Sequence, residues 1–272
     1  MSDFIEMLSY PFIGRALAVG VLISFCAALL GVILVLKKYS LIGHGLGDVG
    51  FASTALAVAL GLNATYVSLP IVVIASLIIM FVSQKTETSG DAAIGMIATG
   101  SLAVGVVITA LSNGFNIDVY NYMFGSILAM SDADVALSVA LSVVVLAAFI
   151  ALYPRIFSVT FDESFARATG LNAGVYNLMI AVLTAVTIVV GMRIMGTMLI
   201  SSLIIFPALT SMRVFSRFRT VVISSAIVSV VCLTAGIMLS CLTSLPAGAG
   251  IVAVNLAAFV LFSLIGALRG AN

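Results

Sequence analysis

The chain is a succession of apolar stretches, each long enough to cross a bilayer and separated only by short polar interruptions. A hydrocarbon core of ~30 Å takes about 20 residues of helix, so such stretches read as transmembrane helices. The candidate spans are 12–36, 40–62, 66–83, 92–111, 133–153, 173–191, 195–212, 220–242 and 250–268. This predicts an all-α polytopic transmembrane helical bundle of about nine spans (8–10), forming a single membrane domain over 1–272. Ser112–Asp134 is mixed in polarity and has room for a short interfacial or re-entrant helix around Tyr120–Leu128, which leaves the count open.

Composition removes the other classes. With 63% hydrophobic and 8% charged residues and a mean hydropathy of +1.34, the chain lies far outside the soluble range. The short loops leave no room for a soluble catalytic domain. A net charge of +1 argues against nucleic acid, which requires a basic face. Asp3 and Glu6 precede the first apolar stretch, where a cleavable signal would be cationic. Cys26, Cys232 and Cys241 are odd in number and lack CxxC spacing, so they read as packing residues. Met192, Met195 and Met198 read as core filler for the same reason of polarizable bulk.

Orientation follows from the basic residues. With nine spans, Lys37, Lys38, Lys85, Arg155, Arg167, Arg213, Arg217, Arg219 and Arg269 share one side, and only Arg15 and Arg193 face the other. The positive-inside rule then predicts an external N-terminus and a cytoplasmic C-terminus.

The second stretch holds Ser40-Leu41-Ile42-Gly43-His44-Gly45-Leu46-Gly47-Asp48-Val49-Gly50, with the single histidine of the chain. At i and i+4, His44 and Asp48 share a helix face. Imidazole plus carboxylate is a pair that binds divalent transition metals. An aspartate at a helix centre costs roughly 2.5–3.5 kcal/mol on insertion scales, which marks it as functional. Counted as continuous helix from Lys38, Asp48 lies roughly 15 Å in, half of a ~30 Å core, the depth at which transporters hold substrate. A structural histidine bonded between helices or reaching water, and a proton relay, are the competing readings. Gly45–Gly50 also matches G-x-G-x-x-G, but that fingerprint needs a preceding strand and a βαβ unit. Gly43, Gly47 and Gly50 instead form a small-residue stripe for a closely approaching helix.

The longest loop on the basic side contains Thr160-Phe161-Asp162-Glu163-Ser164-Phe165-Ala166-Arg167-Ala168-Thr169-Gly170. Asp162 and Glu163 suit a first helical turn and Gly170 a C′ position. The segment reads as one short amphipathic helix, either lying on the membrane through Phe161 and Phe165 or docking a cytoplasmic partner. Asp91 reads as the cap of the fourth span, and Pro207 as a kink in the seventh.

Taken together, these residues resemble the membrane permease subunit of bacterial ABC importers for zinc, manganese or iron. The pieces run from Phe12-Ile13-Gly14-Arg15-Ala16-Leu17 through Gly31–Gly43, Gly90-Asp91-Ala92-Ala93-Ile94-Gly95, Phe124-Gly125-Ser126-Ile127-Leu128 and Phe161–Gly170 to Phe206-Pro207-Ala208. In that family Ser-Leu-x-Gly is followed by Asp-Ala-Leu-Ser-His, whereas here His44-Gly45-Leu46-Gly47-Asp48 exchanges the two ligand types. The resemblance implies an importer subunit in the bacterial cytoplasmic membrane, paired with a second permease copy. It implies a cytoplasmic ATPase dimer that receives the Phe161–Gly170 segment, named by Phe161, Asp162, Glu163, Ala166, Arg167 and Gly170, as its coupling helix. An extracytoplasmic metal-binding protein would deliver the ion to His44 and Asp48. No cofactor is held permanently; the cargo is a divalent metal, zinc favoured on nitrogen ligation, manganese or iron(II) next. The chain has no G-x-x-x-x-G-K-[ST] loop, so it is expected to be no enzyme and to borrow its ATP hydrolysis. The alternative is a secondary, ion-gradient-coupled metal or proton transporter.

Overall fold

The computed structural model describes residues 11–85, 90–112, 125, 132–243 and 245–269. All ten regular elements among them are α-helices: α1 (Pro11–Leu36), α2 (Ile42–Ala59), α3 (Ala64–Lys85), α4 (Gly90–Leu111), α5 (Asp132–Phe161), α6 (Glu163–Ala168), α7 (Ala173–Met195), α8 (Thr197–Met212), α9 (Phe218–Thr243) and α10 (Ala247–Arg269). Each of the nine apolar stretches falls on one helix, and α6 is the extra short one. Seven helices, α1, α3, α4, α5, α7, α9 and α10, are long and apolar enough to cross a membrane. The 16-residue α8 is apolar but shorter, and α2 is interrupted by its polar pair.

Burial sorts the helices. The apolar windows of α1 and α7 are 72% buried, whereas those of α4 and α10 are 17% buried, so the first two are central and the last two peripheral. α8 joins the centre, with Leu203, Ile204 and Ala208 fully enclosed. Lipid offers no hydrophobic drive to bring helices together, so close packing and polar contacts do it. On α1, a Cβ at Gly31 would land on the Ile204 carbonyl oxygen of α8. On its other flank, Ser229 of α9 donates to the Ser24 carbonyl at 3.0 Å and Ser225 to that of Ala28 at 3.4 Å. Cys26 and Cys232 are buried free thiols, and Met192 and Met195 belong to the core while Met198 is partly exposed.

Two details depart from the sequence expectation. The fifth span, read as ending at residue 153, continues through Pro154 to Phe161. A proline inside a membrane helix is tolerated because neighbouring groups re-satisfy the freed carbonyl. Asp91 is no cap: Gly90 is already helical, and the carboxylate lies in the first turn of α4, where it favours the helix dipole. Pro207 sits inside α8 without ending it. Of the Tyr120–Leu128 segment only Gly125 is among the described residues. It holds φ +68°, and a Cβ there would meet the Met195–Gly196 backbone at the α7–α8 break. Asp3 and Glu6 lie outside the described residues.

The α1–α2 connection is tight. Tyr39 N–H bonds the Leu34 carbonyl at 2.8 Å and Lys38 N–H that of Val35 at 3.1 Å, the paired bonds of a Schellman ending. The position that glycine normally fills is Lys38, at φ +62°. A left-handed non-glycine residue costs roughly 1–2 kcal/mol, so this reversal is held by its surroundings.

Candidate functional site

α2 is built to bring other backbones close to its polar pair. A Cβ at Gly43 would press on Ser201 and Ile204 of α8, and one at Gly47 on Thr197 at 3.2 Å. The falling partner numbers mean that α8 runs antiparallel to α2. On the adjacent face, a Cβ at Gly45 would overlap Ile94 of α4 at 2.6 Å. The expected stripe is therefore present at Gly43 and Gly47, and Gly45 serves a second neighbour.

His44 and Asp48 lie on one face, with Nε2 and Oδ2 3.7 Å apart. That is too long for a hydrogen bond. Two ligands at tetrahedral angles around an ion with ~2.0–2.1 Å bonds sit roughly 3.3 Å apart, so a small side-chain adjustment suffices to chelate. The imidazole is 59% exposed and the carboxylate 13%, so the pair opens outward from the fold at one end and is enclosed at the other. Among the described residues, no group of three or more His, Cys, Asp or Glu side chains stands together, so one chain offers two ligand side chains here. The helical path to Asp48 differs from the sequence count. The helix carrying Asp48 starts at Ile42, because the Lys38 turn breaks the continuous rise. Asp48 is thus about 9 Å along α2, rather than 15 Å from Lys38.

The second site, α6, is a closed unit. Asp162 caps it by accepting from Phe165 N–H at 2.8 Å. At the other end, Leu171 N–H bonds the Ala166 carbonyl and Gly170 N–H that of Arg167, both at 3.0 Å, with Gly170 at φ +85°. Ala166 is fully buried and packs with Val159, Leu171, Ala173 and Tyr176. Phe165 and Arg167 point outward. Phe161, assigned from sequence to the same helix, is instead the last residue of α5. Its ring packs on Phe157 and Phe218, at 4.9 and 5.5 Å between centroids, which fastens the helix that carries α6.

Glu163 joins α6 to the bundle. It takes Arg167 Nη2 at 2.6 Å and Asn177 Nδ2 of α7 at 3.2 Å. Asn177 in turn accepts from Lys37 Nζ at 2.6 Å, and that ammonium lies 3.8 Å from Glu163. Partial burial pushes the Glu163 carboxyl up, but the bonds from Arg167 and Asn177 and the charge of Lys37 outweigh it and hold it below the usual range. For Lys37 burial dominates and lowers its pKa, with Glu163 acting against it. Asn177 went unnoticed in the sequence, although an amide one turn into an apolar helix is itself a signal. At the far end of α5 a different polar set gathers: Asp132 pairs with Arg15, and Asp134 with Arg193 at 3.0 Å. The two basic residues that the charge count set apart thus meet at one end of the bundle.

Residues 9–266 match the ABC 3 transport family. The chain belongs to that family. It is an integral membrane component of a transport system, a permease rather than an enzyme. It is 26% identical to the manganese transport system membrane protein MntC of Halalkalibacterium halodurans, over 95% of this chain and 88% of that one. It is 29% identical to the high-affinity zinc uptake system membrane protein ZnuB of Haemophilus influenzae, over 90% of this chain and 94% of that one. Its fold is similar to PsaBC from Streptococcus pneumoniae, solved in complex with Fab, with a TM-score of 0.84 at 24% identity, covering 96% of this chain and 94% of that one. Within this ABC 3 transport family protein, the exposed imidazole, the enclosed carboxylate and the capped α6 are the features with evident chemistry.

Proposed function

We propose that this permease conducts a divalent transition metal into the cytoplasm, powered by a separate ATPase dimer that docks on α6, and fed by an extracytoplasmic metal-binding protein. The observation that carries it is the His44–Asp48 pair, aligned on one face but 3.7 Å apart and unbonded to each other. Two ligands are too few for a closed shell, since zinc in structural sites takes four. A second copy of this chain facing the first would supply the other two, and a transient shell suits an ion that must leave again. Nitrogen ligation favours zinc over manganese and iron(II); relatives of nearly equal similarity are named for manganese and for zinc. The whole chain acts as one membrane domain of nine crossings, its N-terminus outside and its C-terminus in the cytoplasm. The supporting facts are the nine-to-two split of basic residues and the meeting of Arg15 and Arg193 at one end of α5.

The test is uptake by the chain reconstituted with its ATPase in vesicles, using zinc, manganese and iron(II) singly and in competition. The expected result is ATP-dependent accumulation of one metal that stops when the ATPase is inactivated. Accumulation that follows an imposed ion gradient and ignores ATP hydrolysis would instead establish a secondary transporter.

A further inference from the structure

We propose that Lys37, Asn177 and Glu163 form a clasp through which movement of α6 is passed to α2, across the left-handed turn at Lys38. It rests on the reading of α6 as the ATPase dock and of α2 as the metal-bearing helix, and it makes Lys37 a positioning residue for transport. The path has no slack. α6 is a rigid body, capped by Asp162 at one end and by the Gly170 turn at the other. Its Glu163 reaches Asn177, and Asn177 uses both ends of its amide, donating to Glu163 and accepting from Lys37. Lys37 is followed at once by Lys38, and α2 begins at Ile42, whose N–H is bonded back to the Tyr39 carbonyl at 3.2 Å. Four residues therefore separate the clasp from the helix that holds His44 and Asp48.

Burial shows that the clasp does more than fasten. The Lys37 side chain is 10% exposed and Asn177 2%. A charge kept from water is a weak way to stabilise a contact, because desolvation offsets the attraction, and an apolar contact would attach α6 as well. What a hydrogen-bonded charged cluster adds is discrete geometry, made or broken as a unit. Its loosest link, 3.8 Å between Lys37 and Glu163, is the one that spans α6 and the α1 end directly. Lys38 sits in the backbone conformation least suited to its side chain, which makes the turn the point that changes when Lys37 is pulled.

The experiment uses the full complex in vesicles and reads metal moved per ATP hydrolysed, together with complex assembly and thermal unfolding. Lys37→Met should assemble and hydrolyse ATP, with metal per ATP falling roughly fivefold or more, the scale of coupling between sites. The paired reversal Lys37→Glu with Glu163→Lys should recover part of that loss. Lys38→Gly leaves every clasp contact intact and suits the positive φ, so it should fold at least as well while also losing stoichiometry, an effect that a purely structural turn would not produce. Wild-type stoichiometry in Lys38→Gly, or in a correctly assembled Lys37→Met, overturns the clasp. A wild-type complex that moves no metal at all overturns the transport reading beneath it, and the two failures are separately visible.

Discussion

The polar clusters around Glu163 and on α2 differ in how completely they are satisfied. Around Glu163, every charge has a partner: Arg167, Asn177 and Lys37 surround one carboxylate. On α2, His44 and Asp48 face each other at 3.7 Å without a hydrogen bond. Each has an enclosed member, Lys37 at 10% and Asp48 at 13% side-chain exposure, for which an unmatched polar group is costly. A cluster that closes on itself holds geometry, whereas a pair left open keeps its lone pairs for something that arrives. That contrast supports the proposed roles, one linking and one binding, more sharply than residue type does, since each contains a carboxylate and a nitrogen cation or base.

The largest effect should come from the open pair. Asp48→Ala and His44→Ala should each reduce uptake to below about a hundredth of wild type, the upper range for disturbing a metal shell, while assembly and basal ATPase activity persist. Near-normal uptake by both would remove the site. The exchange His44→Asp with Asp48→His should keep some uptake, because it preserves the ligand inventory on the shared face.

Next in size is Ala166→Pro. Proline in a helix interior costs roughly 3 kcal/mol, and Ala166 is buried at the base of α6, so ATP hydrolysis should separate from transport while metal binding to the membrane subunit remains. A variant that co-purifies with its ATPase and transports normally would show that α6 is not the dock. Asp162→Ala should be milder, about 1 kcal/mol for a lost cap, read as faster hydrogen exchange over residues 162–170. Unchanged exchange would mean that the surrounding packing alone holds α6.

The smallest effect is a pH dependence of the closed cluster. The Glu163 carboxyl is held below its ordinary value in the fold, so its contribution is present above the unfolded pKa and is lost as pH falls through the lower folded one. Lys37, lowered by burial, weighs against the fold fully below its folded pKa, and that cost is relieved only as pH rises from the folded towards the unfolded value, so it plays no part at the acid limit. Hydrogen exchange over α6 should therefore rise only on acidification below the usual glutamate range. A rise near neutral pH would show that Glu163 is not the group in control.

Much of this was legible in the chain because apolar run length is a direct measure of a membrane helix. All nine stretches coincide with helices, and the four-residue spacing of His44 and Asp48 placed them correctly on one face. What sequence could not supply came from chain reversals and from pairing at a distance. The Lys38 turn is made by a lysine where glycine is the usual signal, so the continuous helix counted from Lys38 to Asp48 is in fact two helices. The fifth stretch reads only to residue 153, because its apolar pattern does not show that Phe157 and Phe161 pack on Phe218, a contact that holds α5 together beyond Pro154. Asn177 carries no motif; its meaning depends on Lys37, which is 140 positions away in the chain.

The length of α5 has a mechanical consequence. Its 30 residues make a rod of about 45 Å, against a hydrocarbon core of ~30 Å. Its first turn is tethered by Arg15 and Arg193, and its last residue leads directly into the cap of α6. A helix held at both ends, by ion pairs at its first turn and by the Phe157–Phe161–Phe218 rings at its last, is a strut: tilting ~45 Å of helix by about 5° displaces one end from the other by roughly 4 Å. The two fastenings sit at opposite ends of one helix, so any such tilt strains the ion pairs of Asp132 and Asp134 and the aromatic cluster together.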